Sequence, residues 1–291
     1  MNKKITLVTG AAGKTGKAVI AALLKKQVSV RALVLIKEHE SMLRDLGVSE
    51  VVVGDMNIPG VLDEAARDVQ TIYYICSNVN PDEFKLGENA INAACKAKIN
   101  HFVYHSVLHP QIEAMPHHWL KMRVEEALIK SGLSYTVLQP TAYMQNIFQS
   151  WEAIKSQGIY SVPYLPETRL SIVDLEDVAE AAALVMTEPD GHFNSTYELV
   201  GPQALSQNEA AEILSRELQR TVKAAEIPRD QWDEKMRSSG MGSYERDTLL
   251  KMFIYYEQYG FFGNPNVLSH LLQRPPATFQ SVVRRQISRE K

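Results

Sequence analysis

The sequence is poor in the features that mark several classes of protein. Its 291 residues include only two cysteines, Cys76 and Cys95, and no C-x-x-C pair, which argues against a disulfide framework. No uninterrupted apolar run reaches the roughly 18 residues that a membrane-spanning helix requires. The formal net charge is -3 and no long basic run is present, so direct binding of nucleic acid through its phosphates is not expected.

The same shortages favour a cytoplasmic protein. Two thiols without a pairing framework suit the reducing cytosol. The residues Met1-Asn2-Lys3-Lys4 run directly into an apolar segment, which leaves no room for a signal peptide. A chain of this length buries a large core, either as one domain or as a main domain with a smaller one.

A glycine-punctuated turn near the N-terminus organises the rest of the chain. An apolar strand starting at Ile5 is followed by Gly10, Gly13 and Gly16 and then by an amphipathic segment over 17–26. Gly10 permits a sharp turn, Gly13 leaves room for a pyrophosphate, and Gly16 allows close helix–strand packing. The helix N-terminus adds free N–H groups and the positive end of its dipole. The pattern predicts a dinucleotide site, and a close-packed turn that binds nothing is the alternative.

The spacing of the three glycines is Gly-x-x-Gly-x-x-Gly, and Thr9 precedes the first of them. This arrangement resembles the fingerprint of the short-chain dehydrogenase/reductase superfamily, which implies a nicotinamide dinucleotide as cofactor. The residues of the turn that we expect to contact the cofactor are Gly10, Ala12, Gly13, Lys14, Thr15 and Gly16.

Strand-like and helix-like segments alternate through the first half of the chain. Such alternation predicts an α/β fold, a Rossmann-type doubly wound parallel sheet with helices on both faces. Right-handed crossovers then place the cofactor across the carboxyl ends of the strands. We predict strands at 28–34, 51–53, 71–76, 101–106 and 135–138, and helices at 17–26, 38–46, 61–67, 84–98 and 119–130.

The regular alternation of strand-like and helix-like segments ends at Pro140. We expect 1–150 to form an NAD(P)-binding Rossmann domain and 151–291 to form a smaller, mostly helical C-terminal lobe, with some elements crossing back to the sheet. The aromatic residues of the tail form the core of this lobe or shape an apolar substrate pocket. The predicted elements are helices at 143–155, 175–186 and 206–218, strands at 169–173 and 197–200, helix caps at Asp174 with Asp177 and at Ser206 with Glu209, and a helical tail from Pro228.

The end of the second predicted strand bears on the choice between NADP and NAD. An NAD site usually carries Asp or Glu there for the ribose diol, whereas the nearest charged residues here are Arg31 and Lys37. A basic group suits a 2′-phosphate, so NADP is favoured over NAD. Arg31 lies in mid-strand, where a structural ion pair is the alternative.

Two further strand ends are expected to border the cofactor. Asp55, followed by Met56, comes after the third strand, where its carboxylate reaches the adenine amino group or hydrogen-bonds its own turn. Cys76 ends the fourth strand and forms, with Ser77 and Asn78, the wall from adenosine to ribose. The alternative for Cys76 is simple packing.

A group of histidines invites comparison with a metal site. None of them has the Glu-flanked helical spacing of a zinc hydrolase, so we predict no metal and assign them to a polar mouth of the cleft. The histidines of this group are His101, His105, His109, His117 and His118.

The candidate catalytic residues surround the fifth strand. Ser106 closes that strand and Lys121 follows 15 residues later, near the start of a helix. Short-chain dehydrogenases carry Ser and Tyr-x-x-x-Lys at these places, which implies that Lys121 bonds the nicotinamide ribose and lowers the pKa of a neighbouring acid. His117 takes the place of the tyrosine, one turn before the lysine. With an ordinary pKa of about 6.5 it can donate a proton, and the alternative is a polar loop residue. Other candidate acids are Tyr143, Tyr104 and His118.

The whole chain is similar to the NmrA-like members of the atypical short-chain dehydrogenases. The resemblance implies NADP(H) or NAD(H) binding, with reduction of quinones, dyes or phenylpropanoids in some members and cofactor-responsive regulation in others. Leu35 stands where the family often has an arginine for the 2′-phosphate, so Lys37 or Lys14 has to substitute for it. The residues that carry the resemblance are Val8 to Gly16, Gly54-Asp55, Lys121, Val124 to Leu128, Ser134 to Pro140 (with Gln139-Pro140 in place of Arg-Pro), Val173-Asp174, Asp177 to Ala179, Tyr197 to Pro202 and Gly260 to Pro265.

Two functions follow from these patterns. The first is an NAD(P)H-binding oxidoreductase that reduces a flat apolar acceptor such as a quinone or conjugated carbonyl, with Lys121, Pro140 and Tyr143 beside the nicotinamide. The second is an NADP(H)-sensing regulatory protein without turnover that binds a protein partner, since the catalytic tyrosine is missing. A homodimer fits either function. A sugar-nucleotide epimerase is least favoured, because that chemistry depends on the missing tyrosine.

Overall fold

A computed structural model describes residues 5–58 and 60–290 of the chain. The segment 1–4, on which the expected lack of a signal peptide rests, lies outside the described residues. The strands are β1 (Ile5–Val8), β2 (Ser29–Val34), β3 (Glu50–Val53), β4 (Thr71–Tyr74), β5 (His101–His105), β6 (Tyr135–Pro140), β7 (Ala142–Tyr143), β8 (Ile159–Val162), β9 (Arg169–Val173), β10 (Ser195–Leu199), β11 (Gln203–Ser206) and β12 (Lys223–Glu226). The α-helices are α1 (Lys14–Lys25), α2 (Glu40–Asp45), α3 (Val61–Ala65), α4 (Glu83–Ala97), α5 (Pro116–Lys130), α6 (Trp151–Gln157), α7 (Leu175–Thr187), α8 (Gln207–Leu218), α9 (Arg229–Ser238), α10 (Ser243–Tyr259), α11 (Asn266–Leu272) and α12 (Phe279–Arg289).

Seven of the strands form one sheet in the order β10-β6-β5-β4-β1-β2-β3. The pairings between neighbours from β1 to β6 are parallel, and this arrangement contains the doubly wound Rossmann order. β4 and β5 are buried along their whole length, as expected for central strands covered on both faces. The predicted α/β fold class is confirmed.

The core on one face of this sheet joins the strands to α3, α4 and α5. Burying these side chains is the main favourable contribution to holding the helices against the sheet. This packing positions the polar side chains that α4 and α5 carry at their N-terminal halves. The fully buried members of the cluster are Leu7, Ala65, Ala66, Tyr74, Ala94, Phe102, Tyr104, Val124 and Leu128.

The chain forms two compact units whose segments interleave in sequence. Because they interleave, a single boundary along the chain does not describe them. The second unit contains a three-stranded sheet, β11-β9-β7, and a two-stranded sheet, β12-β8. The first unit consists of Met1–Gln111, His117–Gln139 and Val178–Tyr197, and the second of Ile112–Pro116, Pro140–Asp177 and Glu198–Lys291.

The second unit departs from the sequence-based expectation in two places. The predicted helix over 143–155 is confirmed only in part: Tyr143 pairs with Val173 in β7, a 3₁₀ helix covers Met144–Ser150, and the α-helix α6 begins at Trp151. The apolar residues at helical spacing indicate a helix but not its 3₁₀ start. The short strands β8, β11 and β12 were not predicted, because their pairing partners lie far away in sequence.

One predicted helix cap is complete and the other is partial. Ser206 and Glu209 form a full capping box at α8. Asp174 accepts a hydrogen bond from the backbone N–H of Glu176 at 3.1 Å, as a helix cap does. Asp177 instead accepts from Arg274 at 2.8 Å and from the backbone N–H of Ala277 at 2.6 Å. Its carboxylate therefore holds the chain that leads into α12 within the second unit.

Candidate active site

The glycine turn lies at the carboxyl end of β1 and leads into α1. Gly13 is the N-terminal cap of α1, and its N–H donates to the carbonyl of Gly10 at 3.0 Å. A Cβ on Gly16 would lie 2.4 Å from the Gly10 oxygen, so the turn closes this tightly only with glycine there. The hydroxyl of Thr9 donates to the carbonyl of Ile75 at 2.8 Å, which fixes the turn to the end of β4.

The turn also has the shape that a pyrophosphate needs. Gly13 is exposed, and a Cβ there would meet only the Gly10 oxygen, at 3.2 Å. The first N–H groups of α1 have no intrahelical acceptor, and the helix dipole is positive at this end. Backbone donors, dipole and open space therefore fit a dinucleotide phosphate group. Ala12 lies in the same turn, and Lys14 and Thr15 are the first two residues of α1.

The end of β2 is apolar and its mid-strand arginine is already engaged. Arg31 donates from Nε to Glu50 at 2.6 Å and from NH1 to the carbonyl of Ala65 at 2.9 Å. This is the structural ion pair expected as the alternative role of Arg31, and it turns the guanidinium toward the C-terminal end of α3. Leu35 is 64% exposed and Lys37 is exposed, so Lys37 is the predicted 2′-phosphate ligand at this strand end that stays open to solvent.

The third and fourth strand ends carry the remaining predicted cofactor contacts. The carboxylate of Asp55 accepts from the backbone N–H of Asn57 at 2.8 Å, which is the turn interaction given as its alternative. Burial raises the pKa of the Cys76 thiol to about 12, so this thiol is protonated and unreactive at neutral pH. Ser77 and Asn78 are exposed just beyond it. Met56 packs partly against the core.

Lys121 lies in a buried polar cluster that the sequence did not reveal. Its ammonium group donates to Oε1 of Glu83 at 3.0 Å, and both side chains are under 10% exposed. The hydroxyl of Tyr104 donates to the same oxygen at 2.9 Å. Glu83 stands in the first turn of α4, where a glutamate is commonly explained by the helix dipole alone, so no sequence signal marked it.

His117 is buried at the start of α5. Burial, His118 and Lys121 lower the pKa of His117 to about 2, so the imidazolium form predicted to donate a proton is absent near neutral pH. Its Nδ1 has no hydrogen-bond partner among the described residues. His118 bonds from Nδ1 to the carbonyl of His109 at 3.1 Å. A neutral His117 can donate a hydrogen bond, but it is not the imidazolium acid that the sequence pattern predicts.

Ser106 belongs to a second buried cluster. This cluster is centred on Glu125, which lies one helical turn beyond Lys121 in α5. The Ser106 hydroxyl donates to Oε1 of Glu125, and the amide of Gln139 donates to both oxygens of the same carboxylate at 3.0 Å. All three residues are buried. The sequence marks Ser106 as a site residue, whereas Glu125 and Gln139 stand out only as family motif residues, because their contact joins β5, α5 and β6 through the fold.

Two predicted residues belong to the second unit. Pro140 ends β6 and Tyr143 lies half-buried in β7, and their roles beside the nicotinamide stay predictions.

Across the described residues, no group of three or more His, Cys, Asp or Glu side chains is arranged to hold a metal ion. None of the helices in the described ranges is long and apolar enough to cross a membrane.

The parallel strand order and the glycine turn define a dinucleotide-binding α/β protein. The model of the NmrA-like family matches residues 1–283, and the chain belongs to that family. It is 29% identical over 275 residues to NAD(P)H azoreductase of Xenophilus azovorans, covering 94% of both chains. It is 26% identical to quinone oxidoreductase 2 of Escherichia coli (strain K12), covering 95% of this chain and 96% of that one.

The fold is also similar to those of solved reductase structures that contain NADPH or NADP(H). The NADPH complex of the NADPH-dependent quinone oxidoreductase from Escherichia coli superposes with a TM-score of 0.83 at 25% identity, covering 97% of this chain and 99% of that chain. The Citrobacter sp. triphenylmethane reductase in complex with NADP(H) has the same TM-score, identity and coverage. The predicted family is confirmed.

Proposed function

We propose that this protein is an NAD(P)H-dependent reductase of flat, apolar acceptors such as quinones or conjugated carbonyls, with NADP(H) as the preferred cofactor. The open glycine turn carries the proposal, because its backbone donors and free space fit a dinucleotide. The relatives support it, since they include an NAD(P)H azoreductase, a quinone oxidoreductase and a triphenylmethane reductase. The cytoplasm is the proposed location, because the free thiols Cys76 and Cys95 suit a reducing compartment.

In this proposal, different residues of the first unit bind different parts of the dinucleotide. The turn from Gly10 to Gly16 holds the pyrophosphate, and Lys37 or Lys14 takes the 2′-phosphate in place of the absent arginine. Ser77 and Asn78 border the ribose, and Lys121 bonds the nicotinamide ribose. The bound dinucleotide supplies a hydride to the acceptor. Glu83 keeps the Lys121 ammonium at a fixed point, because a buried cation requires a hydrogen-bonded counter-charge.

The first test is a titration of the purified protein with NADPH, NADP, NADH and NAD, followed by nicotinamide fluorescence or calorimetry. We expect tighter binding of the phosphorylated pair. Lys37→Ala should weaken NADPH binding by roughly tenfold to a hundredfold, since a charge-assisted hydrogen bond contributes about 1.5–3 kcal/mol, and should leave NADH binding unchanged. The matched control is Lys25→Ala, which removes an exposed lysine at the end of α1 opposite the glycine turn. Failure to bind any of the four would contradict the dinucleotide site itself.

Turnover decides between the two candidate functions. Oxidation of NADPH in the presence of a quinone or conjugated carbonyl would establish the reductase. Tight cofactor binding without turnover on a broad panel of acceptors would favour the sensor instead. In that case a protein partner must bind with different affinity in the NADP and NADPH states, because a ligand shifts an equilibrium only through differential binding.

A further inference from the structure

A buried carboxyl group lies one helical turn beyond Lys121 in α5. In α5, Glu125 follows Lys121 by four residues and so projects from the same face of the helix. Both residues are only 7% exposed. The family pattern places an acid four residues before the lysine, whereas this helix buries a carboxyl group four residues after it.

The contacts of Glu125 connect it to the carboxyl edge of the sheet. Ser106 is the first residue beyond β5, at the edge where parallel sheets bind their ligands, and its hydroxyl donates to Glu125. Gln139, from β6, donates to both carboxylate oxygens at 3.0 Å. The carboxyl group is therefore held in one orientation, with one oxygen against the Ser106 hydroxyl.

The protonation state of Glu125 decides where the Ser106 hydrogen points. A serine hydroxyl has one hydrogen to donate. When Glu125 is ionised, that hydrogen is held by its carboxylate. When Glu125 is protonated, its own O–H donates to Ser106 Oγ, and the serine hydrogen becomes available to a bound acceptor.

We propose that Glu125 is the proton reservoir of the reductase and that Ser106 passes the proton to the acceptor. The inference rests on the proposed function. As a hydride adds to the acceptor, the electron pair moves to the acceptor oxygen, which bonds the Ser106 hydrogen as the serine O–H bond breaks. The Glu125 O–H bond breaks as its proton passes to Ser106 Oγ, and the ionised carboxylate takes a new proton from water.

The charges around Glu125 suit a group that both holds and releases a proton. Burial raises the pKa of Glu125, while the hydrogen bonds from Ser106 and Gln139 and the charge of Lys121 act in the opposite direction. The ionisable side chains that interact with Glu125 are Lys121 on α5 and Tyr104 on β5. Lys121 is in turn paired with Glu83 on α4. Because Glu83 already neutralises Lys121, the lysine does not hold Glu125 ionised by itself.

The test compares two acceptors that differ in their need for a proton. A quinone needs a proton as well as a hydride, whereas a cationic triphenylmethane dye is neutralised by the hydride alone. In Glu125→Gln and Ser106→Ala, quinone reduction should fall by about 100-fold, the scale of general acid catalysis, and dye reduction should change little. Glu126→Gln, next along α5 and half-exposed beside Lys130, is the control expected to retain both rates.

The pH profile and an infrared measurement complete the test. Wild-type quinone reduction should fall as pH rises through the pKa of Glu125, and the Glu125→Gln profile should be flat over that range. Infrared spectroscopy should show a protonated carboxyl band in the wild type that Glu125→Gln lacks. Equal losses with both acceptors, or an ionised Glu125 throughout the active pH range, would overturn the relay while leaving the reductase in place. If the wild type reduces neither acceptor, the proposed function fails and the relay fails with it.

Discussion

At the scale of single residues, the candidate site is defined by pairs rather than by individual side chains. Lys121 and Ser106 were identified from their positions relative to β5 and α5. Their partners, Glu83 and Glu125, were not identified as such. Glu83 lies 38 residues before Lys121, so only the packing of α4 against α5 brings the two charges together.

The Lys121–Glu83 pair gives a stability prediction. Glu83→Gln leaves a buried ammonium without its counter-charge, and the free energy of unfolding should fall by about 3–5 kcal/mol. Adding Lys121→Met should restore most of the loss, because no uncompensated charge then remains. Urea unfolding of the two variants measures both effects.

A matched exposed pair separates burial from contact. Lys96 donates to Asp63 at 2.9 Å, but the two side chains are 68% and 43% exposed. Lys96→Met should therefore cost no more than about 1 kcal/mol. A loss for Glu83→Gln as small as the loss for Lys96→Met would show that the buried pair does not stabilise the fold.

At the scale of elements, the sequence was most informative where its periodicity was strong. The strands from β1 to β6 and the helices between them were predicted because buried parallel strands are continuous apolar runs and the helices are amphipathic. The segment after Pro140 was less predictable. Tyr143 pairs in β7, and β8 pairs with β12, so these short strands depend on partners that local sequence does not indicate.

The turn between β1 and α1 allows binding and folding to be tested separately. A Cβ on Gly13 meets only one atom, at 3.2 Å, whereas a Cβ on Gly16 meets Gly10 and Ala11 backbone atoms at 2.4–2.9 Å. Gly13→Ala should therefore keep its thermal unfolding temperature within a few degrees, a shift of roughly 1 kcal/mol or less, yet lose most NADPH binding because the methyl group occupies the phosphate approach.

Gly16→Ala is expected to behave differently, with a lower unfolding temperature as well as lost binding. Its methyl group displaces backbone and not a flexible side chain. Differential scanning fluorimetry with and without NADPH separates the two variants. If Gly13→Ala bound NADPH as tightly as the wild type, the phosphate group would not pass over this glycine.

At the scale of the whole molecule, the first unit buries four histidines, His101, His105, His117 and His118. Burial is the main cause that lowers the pKa of His101 to about 4, of His105 to about 3, of His117 to about 2 and of His118 to about 4. The unfolded chain titrates these residues at about 6.5. Between each folded-state pKa and about 6.5, the unfolded chain therefore binds more protons than the folded protein. This holds for all four histidines.

Stability is accordingly expected to fall as the solution becomes acidic. Above about pH 7.5 the histidines are neutral in both states and contribute little pH dependence, but at lower pH the unfolded state binds protons that the folded state excludes. Each histidine should cost about 1.4 kcal/mol between pH 7.5 and pH 5.5. His101→Gln keeps a donor for Thr136, which His101 contacts at 2.8 Å, and should reduce the acid-induced loss by the share of one histidine. His270→Gln, at an exposed position, should not change it, and urea midpoints at the two pH values measure both. A His101→Gln variant as acid-sensitive as the wild type would mean that the folded protein accepts a proton on this ring despite its burial.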